Sequence, residues 1–315
     1  MSDKPKPTSE KLDKLVESFK KDIENNPNSS IGIAVIRVLT ACINESTATT
    51  FMGVDQEIMQ LIDSIQNACP NLPLHFQGAA KVFRAGMSKS SELKSVNWKT
   101  LFVSHANACL DEANEVLTRI PSVSVEFLPH GMTILTRGFD YMVSQVLMTA
   151  ASSGRQFHVI ITEGRPYDDG CKLASSLIHQ NLKVTIIPDS SVGLWMSEAD
   201  VCLVGTDIVL ESGGLLAPCG TYSMCVLASI HKKPVYCVCE TFKFMRKFIL
   251  GVTDLQENQR SVPYKAAGVD NDHVECVGKE FDYTPAKFVT LLLTEKGAMP
   301  PSAVTHELTK LLGVS

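Results

Sequence analysis

Three short segments follow directly on apolar runs, the place where an α/β protein mounts its ligand-binding groups. Thr162-Glu163-Gly164-Arg165-Pro166 brings a carboxylate and a guanidinium together. Glu163 and Arg165 can orient a polar substrate, with Arg165 holding phosphate, or they can form a solvated surface turn. Pro188-Asp189-Ser190-Ser191 offers Asp189 as an acid or base, or as the cap of the next helix. The third segment runs from Gly205 past Asp207, Glu211 and Gly213-Gly214 to Cys219-Gly220-Thr221. Gly213 and Gly214 allow a turn that other residues could not make. Gly220-Thr221 opens a helix whose free N–H groups favour phosphate, and Thr221 is placed to cap it. Cys219 lies where a helix start stabilises a thiolate, but no base is spaced to activate it. The glycine spacing matches neither the phosphate-loop nor the dinucleotide fingerprint. A plain strand-to-helix connection has the same layout.

The eight histidines are scattered, and the ten cysteines include no C-x-x-C pair. No metal site is expected from such spacing. Cys202, Cys225, Cys237 and Cys239 sit inside apolar runs and read as reduced, buried side chains. Thr241 to Phe248 alternates aromatic and basic residues. It suits a nucleic-acid patch, a protein contact or a buried helix start. The net charge of −5 argues against broad phosphate neutralisation.

These segments need a scaffold, and the chain changes texture to supply one. Residues 1–8 read as a mobile tail. From Ser9 onward the apolar spacing is helical: to about Asn25, from Ile31 to Ile43 behind a cap at Ser29 or Ser30, from Phe51 to Ala68, from Asn71-Leu-Pro73 to Met87, and from Asn97 to Ile120. After Pro121 come short apolar runs at 132–136, 157–162, 183–187, 201–204 and 234–239. Helical stretches at 139–152, 170–180, 192–197 and 222–232 separate them. Such alternation predicts right-handed crossovers and a parallel sheet covered on both faces. The expected fold is α/β: an N-terminal helical domain over 1–121, then a Rossmann-like parallel-sheet domain over 122–315. Pro285–Glu295 is a further apolar run, and 300–312 reads as a closing helix with Ser302 as its cap.

At 315 residues, 44% hydrophobic and 20% charged, the composition is that of an ordinary globular protein. The longest apolar runs are far short of a membrane span, and the first residues carry no apolar signal core. A cytoplasmic protein is expected.

Taken together, several motifs resemble the regulatory subunits of eukaryotic translation initiation factor 2B. They are Val204-Gly-Thr-Asp-Ile-Val-Leu-Glu-Ser-Gly-Gly-Leu-Leu, Gly220-Thr-Tyr, Lys233-Pro-Val-Tyr and Glu240-Thr-Phe-Lys-Phe. Thr162-Glu-Gly-Arg-Pro, Pro188-Asp-Ser-Ser-Val-Gly and Gly297-Ala-Met-Pro-Pro-Ser-Ala-Val-Thr-His-Glu-Leu fit the same pattern. The resemblance covers most of the chain beyond about residue 130, and the length is nearest to the alpha branch. It implies a non-catalytic subunit of the guanine-nucleotide exchange factor for initiation factor 2. Such a subunit bridges its assembly as a homodimer and joins beta, gamma, delta and epsilon subunits. It senses the phosphorylated alpha subunit of initiation factor 2, without direct nucleic-acid or membrane contact. Thr49, Thr50 and Phe51 are the first candidates for that contact; Phe242, Lys243 and Phe244 are the second.

The superfamily also holds isomerases of methylthioribose 1-phosphate and ribose 1,5-bisphosphate. Their chemistry needs a cysteine where this chain aligns Gly138, an aspartate where it aligns Gly214, and Asn-Lys where it has Ala217-Pro218. Glycine moves no proton and proline carries no ammonium, so no catalytic residue and no cofactor is expected. What remains is a vestigial pocket of Arg165, Asp189, Gly213, Gly214, Gly220 and Thr221, open to a sugar-phosphate or nucleotide regulator. An isomerase with relocated groups at Cys219 or Asp207, and a free-standing metabolite-binding dimer, are the alternatives.

Overall fold

The structure, a computed structural model, describes residues 9–25, 31–69, 72, 75–92, 98–247, 261–263 and 277–312. The expected tail at 1–8, the cap at Ser29 or Ser30 and the helix start at Pro73 lie outside the described residues. Contacts divide the chain into two units, residues 1–116 with 307–315, and residues 117–306. Sequence texture instead puts the change near 121 and assigns the whole C-terminal end to the second domain.

The first unit is helical: α1 (Ser9–Asn25), α2 (Ile31–Asn44), α3 (Phe51–Ala68), α4 (His75–Glu92) and the start of α5 (Trp98–Ser124). Most of α2 is apolar, and ten of its residues are buried. It packs on α1, α3 and α4, so it is a core helix rather than an amphipathic cover. Phe19 and Phe76 meet edge to face at 5.9 Å beside it. Arg84 grips Asp55 with two 2.9 Å hydrogen bonds, tying α4 to α3. Helix α5 does not stop at Pro121 as expected but runs one turn past it. So near the end, the missing N–H costs a single helical bond.

The second unit carries a seven-stranded sheet. In chain order its strands are β1 (Thr133–Arg137), β2 (His158–Thr162), β3 (Lys183–Ile187), β4 (Val201–Gly205), then, past two short strands, β7 (Val235–Val238), β12 (Leu291–Thr294) and β13 (Gly297–Met299). Their spatial order is β13-β12-β7-β4-β1-β2-β3, parallel except for β13. The chain moves outward from β1 through β3, then returns to the other side of β1 with β4. Helices α6 (Tyr141–Ser152), α7 (Gly170–Leu177), α8 (Val192–Trp195) and α9 (Thr221–Ile230) make the crossovers. The expected Rossmann-like sheet is therefore present. Ile134, Leu135, Val159, Ile160, Val201 and Leu203 are fully buried in it, as a doubly covered sheet requires. A short helix, α10 (Val304–Leu312), closes the chain.

The segment after β4 departs from expectation. It is not a glycine loop leading straight to a helix. Ile208–Leu210 (β5) and Leu215–Pro218 (β6) form an antiparallel hairpin. They sit in a separate four-stranded sheet, β11-β6-β5-β8, with Phe244–Met245 (β8) and Phe281–Thr284 (β11). Ser261–Pro263 (β9) and Val277–Lys279 (β10) form a two-stranded ribbon. The run at 285–295 splits into a 3-10 turn and β12. The closing helix begins at Val304 behind a 3-10 turn of Pro301–Ala303.

Candidate functional site

The carboxyl ends of β1, β2 and β3 and the start of α9 surround a cavity of about 400 Å³. Its walls include Arg137, Thr162, Asp189, Ser190, Gly220 and Ser223, with Val192, Met224 and Leu227 as an apolar side. Two of the expected ligand residues, Asp189 and Gly220, line it. Arg165 stands next to it but is exposed, and its guanidinium pairs with Asp168 at 3.0 Å and Glu163 at 3.4 Å. Asp189 does not cap the next helix. Its carboxylate accepts from the backbone N–H of Gly164 (3.1 Å) and of Arg165 (2.7 Å), fastening the β2 loop to the end of β3.

Gly213 and Gly214 are not brought to the cavity. They form the turn of the β5–β6 hairpin, and Gly213 has φ +79°. A side chain at Gly213 would start 2.5 Å from the Pro301 carbonyl; one at Gly214 would start 2.6 Å from the Tyr283 ring. Close approach, not ligand binding, explains both glycines. Gly138, which the resemblance aligns with the isomerase cysteine, is likewise closed. A side chain there would start 2.2 Å from Asp169 Oδ1, and one at Gly164 would start 1.8 Å from the same atom. A carboxylate thus fills the space that a cysteine side chain would need.

The α9 start offers no free donors at Gly220 or Tyr222. Asp282, on β11, accepts from the N–H of Gly220 at 2.7 Å and from that of Tyr222 at 3.0 Å. Thr221 does not cap the helix; its hydroxyl donates to the Pro218 carbonyl at 2.7 Å. Two N–H groups at the expected phosphate site, those of Gly220 and Tyr222, are therefore already engaged by a carboxylate, which suits the positive end of the helix dipole. Burial pushes the Asp282 pKa up to about 6, against the N–H groups of Tyr222 and Gly220 and the charge of Arg137. Burial, followed by Asp282, also raises the Cys219 thiol, with Arg137 opposing. Cys219 is thus no activated nucleophile.

A carboxyl whose folded pKa exceeds its unfolded value contributes stability below about pH 4 that is lost as pH rises to about 6. Asp282→Asn keeps an oxygen on the helix and has no proton to release. Its unfolding free energy relative to wild type should rise by up to ~3 kcal/mol between pH 4 and pH 7. Parallel urea titrations of both chains at the two pH values check this. A constant difference would mean that Asp282 titrates normally.

Phe242, Lys243 and Phe244 require a correction. They are 7%, 6% and 1% exposed, inside the unit where no partner reaches them. The aromatic–basic alternation belongs to a buried 3-10 turn leading into β8. Lys243 Nζ lies 2.9 Å from Glu240, which is fully buried. Burial alone would lower the Lys243 pKa, but Glu240, Asp140 and Asp207 raise it overall, so the ammonium stays charged. Nearby, Glu295 after β12 accepts from the backbone N–H of Thr241 at 3.2 Å and from its hydroxyl.

In the first unit, Thr50 is the N-cap of α3, its hydroxyl accepting from Gly53 N–H at 3.2 Å. Phe51 stacks edge to face on Phe102 at 5.2 Å. Thr49 is exposed, as is Met52 on the next turn.

Three residues are not singled out by the sequence: Arg137 and Thr162, whose side chains line the cavity, and Asp282, which holds the α9 start. Arg137 had a signal, since a charged residue closing a buried strand needs a partner or a role. Asp282 had none, because its partners lie some sixty positions away.

A Rossmann-like parallel sheet with a cavity at the carboxyl ends of its strands defines the class of scaffold, and glycine stands at 138 and 214. Residues 24–301 match the initiation factor 2 subunit family, and the chain belongs to it. It is 32% identical to translation initiation factor eIF2B subunit alpha of Dictyostelium discoideum, over 95% of this chain and 97% of that one. It is 28% identical to ribose 1,5-bisphosphate isomerase of Methanocaldococcus jannaschii, over 70% of this chain and 72% of that one. Among solved structures, the tetrameric eIF2B-beta2-delta2 complex from C. thermophilum matches the fold with TM-score 0.75 and 16% identity, covering 97% of this chain and 96% of that one.

Proposed function

We propose that the chain is the alpha-type regulatory subunit of the cytosolic guanine-nucleotide exchange factor for translation initiation factor 2. The observation that carries this is the near end-to-end similarity to the Dictyostelium alpha subunit. In this reading the second unit pairs with a second copy through an isologous interface. That homodimer bridges an assembly with beta, gamma, delta and epsilon subunits, and exchange activity resides in another subunit. The first unit senses the phosphorylated alpha subunit of initiation factor 2, with Thr49, Thr50 and Phe51 at the contact. The cavity of Asp189 and Gly220 takes a phosphorylated small molecule as a regulator.

Affinity purification of the tagged chain from its own cells, followed by mass spectrometry, tests this. The expected result is co-recovery of the four other subunits, with initiation factor 2 enriched when its alpha subunit is phosphorylated. Recovery of a clean dimer alone would sink the translation role.

A second reading, sugar-phosphate isomerase, has the Methanocaldococcus relative in its favour. Gly138 and Gly214 weigh against it, since neither supplies an acid, base or nucleophile. Turnover of ribose 1,5-bisphosphate that is abolished by Asp207→Asn or Cys219→Ala would decide for it.

A further inference from the structure

Asp282 reaches the start of α9 from the smaller sheet. Its Oδ2 accepts from the N–H of Gly220 at 2.7 Å and from that of Tyr222 at 3.0 Å, while its Oδ1 lies 3.1 Å from the Tyr222 nitrogen. Both oxygens therefore face donors. A proton on Oδ2 would meet two N–H groups, and a proton on Oδ1 would crowd that of Tyr222. Either position forces the carboxyl to turn or to draw back from the helix. We propose that Asp282 is a pH-sensitive latch: ionised, it fastens the first turn of α9 to β11; protonated, it releases that turn while the parallel sheet stays intact.

A buried carboxylate has to keep its donors, because an anion without them is costly. A neutral carboxyl has no such need, and its hydrogen bonds are weaker than those of the anion. Burial pushes the group up to about 6, against the N–H groups of Tyr222 and Gly220 and the charge of Arg137. The change of state thus falls close to neutrality rather than in strong acid. The groups that face Asp282 leave it to titrate alone. Arg137, from β1, keeps its charge throughout. The thiols of Cys219, in the preceding loop, and Cys225, on α9, are raised by burial and stay neutral. The strand paired with β11, Leu215–Pro218, carries nothing that ionises. Lys287, in the turn packed on α9, lies over the Phe288 ring at 4.9 Å.

The neighbouring ties do not titrate, which confines the release to one turn. Cys219 N–H donates to the Glu280 carbonyl at 3.0 Å, and Met224 N–H to the Gly220 carbonyl at 3.1 Å. The Tyr222 and Phe288 rings meet edge to face at 6.0 Å. Global stability moves the other way. The folded pKa lies above the unfolded one, so acid relieves the cost of burying the anion and stabilises the chain as it loosens this turn.

Amide hydrogen exchange of the full chain, resolved to single amides and corrected for the intrinsic rate at each pH, tests the latch. Protection at Gly220 and Tyr222 should fall about 10-fold between about pH 7.5 and about pH 5, with its midpoint at about 6. The Cys202 N–H, bonded to the Pro234 carbonyl at 2.9 Å within the parallel sheet, should not change. In Asp282→Asn, which keeps an acceptor oxygen, and in Asp282→Ala, protection at both amides should be level with pH. Should neither variant fold, the wild-type midpoint decides, and one far from 6 overturns the assignment. Level protection in the wild-type chain would overturn the latch. So would a fall that persists in either variant, which would belong to another group, or a fall that Cys202 shares, which would mean that the whole unit opens.

Discussion

Lys243→Met lowers the unfolding free energy by about 3–5 kcal/mol, the usual loss when one partner of a buried ion pair is removed. The side chains are similar in length, so packing changes little and the effect is electrostatic. Glu240, fully buried, is left without the ammonium 2.9 Å away. Asp140, whose pKa burial raises and Lys243 lowers, loses its main opposing charge. Adding Glu240→Gln removes the stranded carboxylate, so the double variant recovers at least half of the loss. Urea unfolding of the two variants and the wild type provides the comparison. A loss below ~1 kcal/mol for Lys243→Met would show that the pair is solvated, as exposed pairs are.

Gly213→Ala is the second large effect, with an expected cost of about 4 kcal/mol. Two terms combine: a left-handed backbone costs about 1–2 kcal/mol for an L side chain, and a forced overlap costs about 1–3 kcal/mol more. The overlap is with the Pro301 backbone carbonyl, which cannot swing aside as a side chain could. Gly131→Ala separates the terms. Gly131 has φ +85° and nothing within 4 Å of the added carbon, so it costs only the first term. Equal losses at the two positions would mean that the hairpin gives way around Gly213. Because Gly213 lies away from the cavity, the folded fraction of the variant keeps the wild-type affinity for any ligand.

The parallel sheet was readable because its strands are continuous apolar runs with helices between them; Lys183–Ile187 was placed to the residue. The second sheet was not. β5 has three residues and β8 two, too short for a periodicity, and β6 finds its partner β11 far along the chain. Non-local pairing also hid the role of Asp282 and made Gly220-Thr221 look like a free anion site. Phe242 to Phe244 misled for a different reason. An aromatic–basic alternation looks the same whether the lysine meets water or a buried glutamate, and only the burial of Glu240 separates the two. Asp189 was found by its position after a strand, and its bonds to Gly164 and Arg165 then corrected its role.

The strand order also bears on synthesis. The half-sheet of β1, β2 and β3 can close as soon as Ile187 has left the ribosome, and β4 and β7 then extend it on the other side. The outer edge of β7 waits for β12, whose Leu291–Leu293 pairs with Tyr236–Val238. Glu295, which answers Thr241, arrives with it. A nascent chain halted between these points carries an open apolar edge, the template from which intermolecular strand pairing begins. A truncated product is thus marked by its own sheet as incomplete, and the last strands to be translated are the ones that make the chain safe to release.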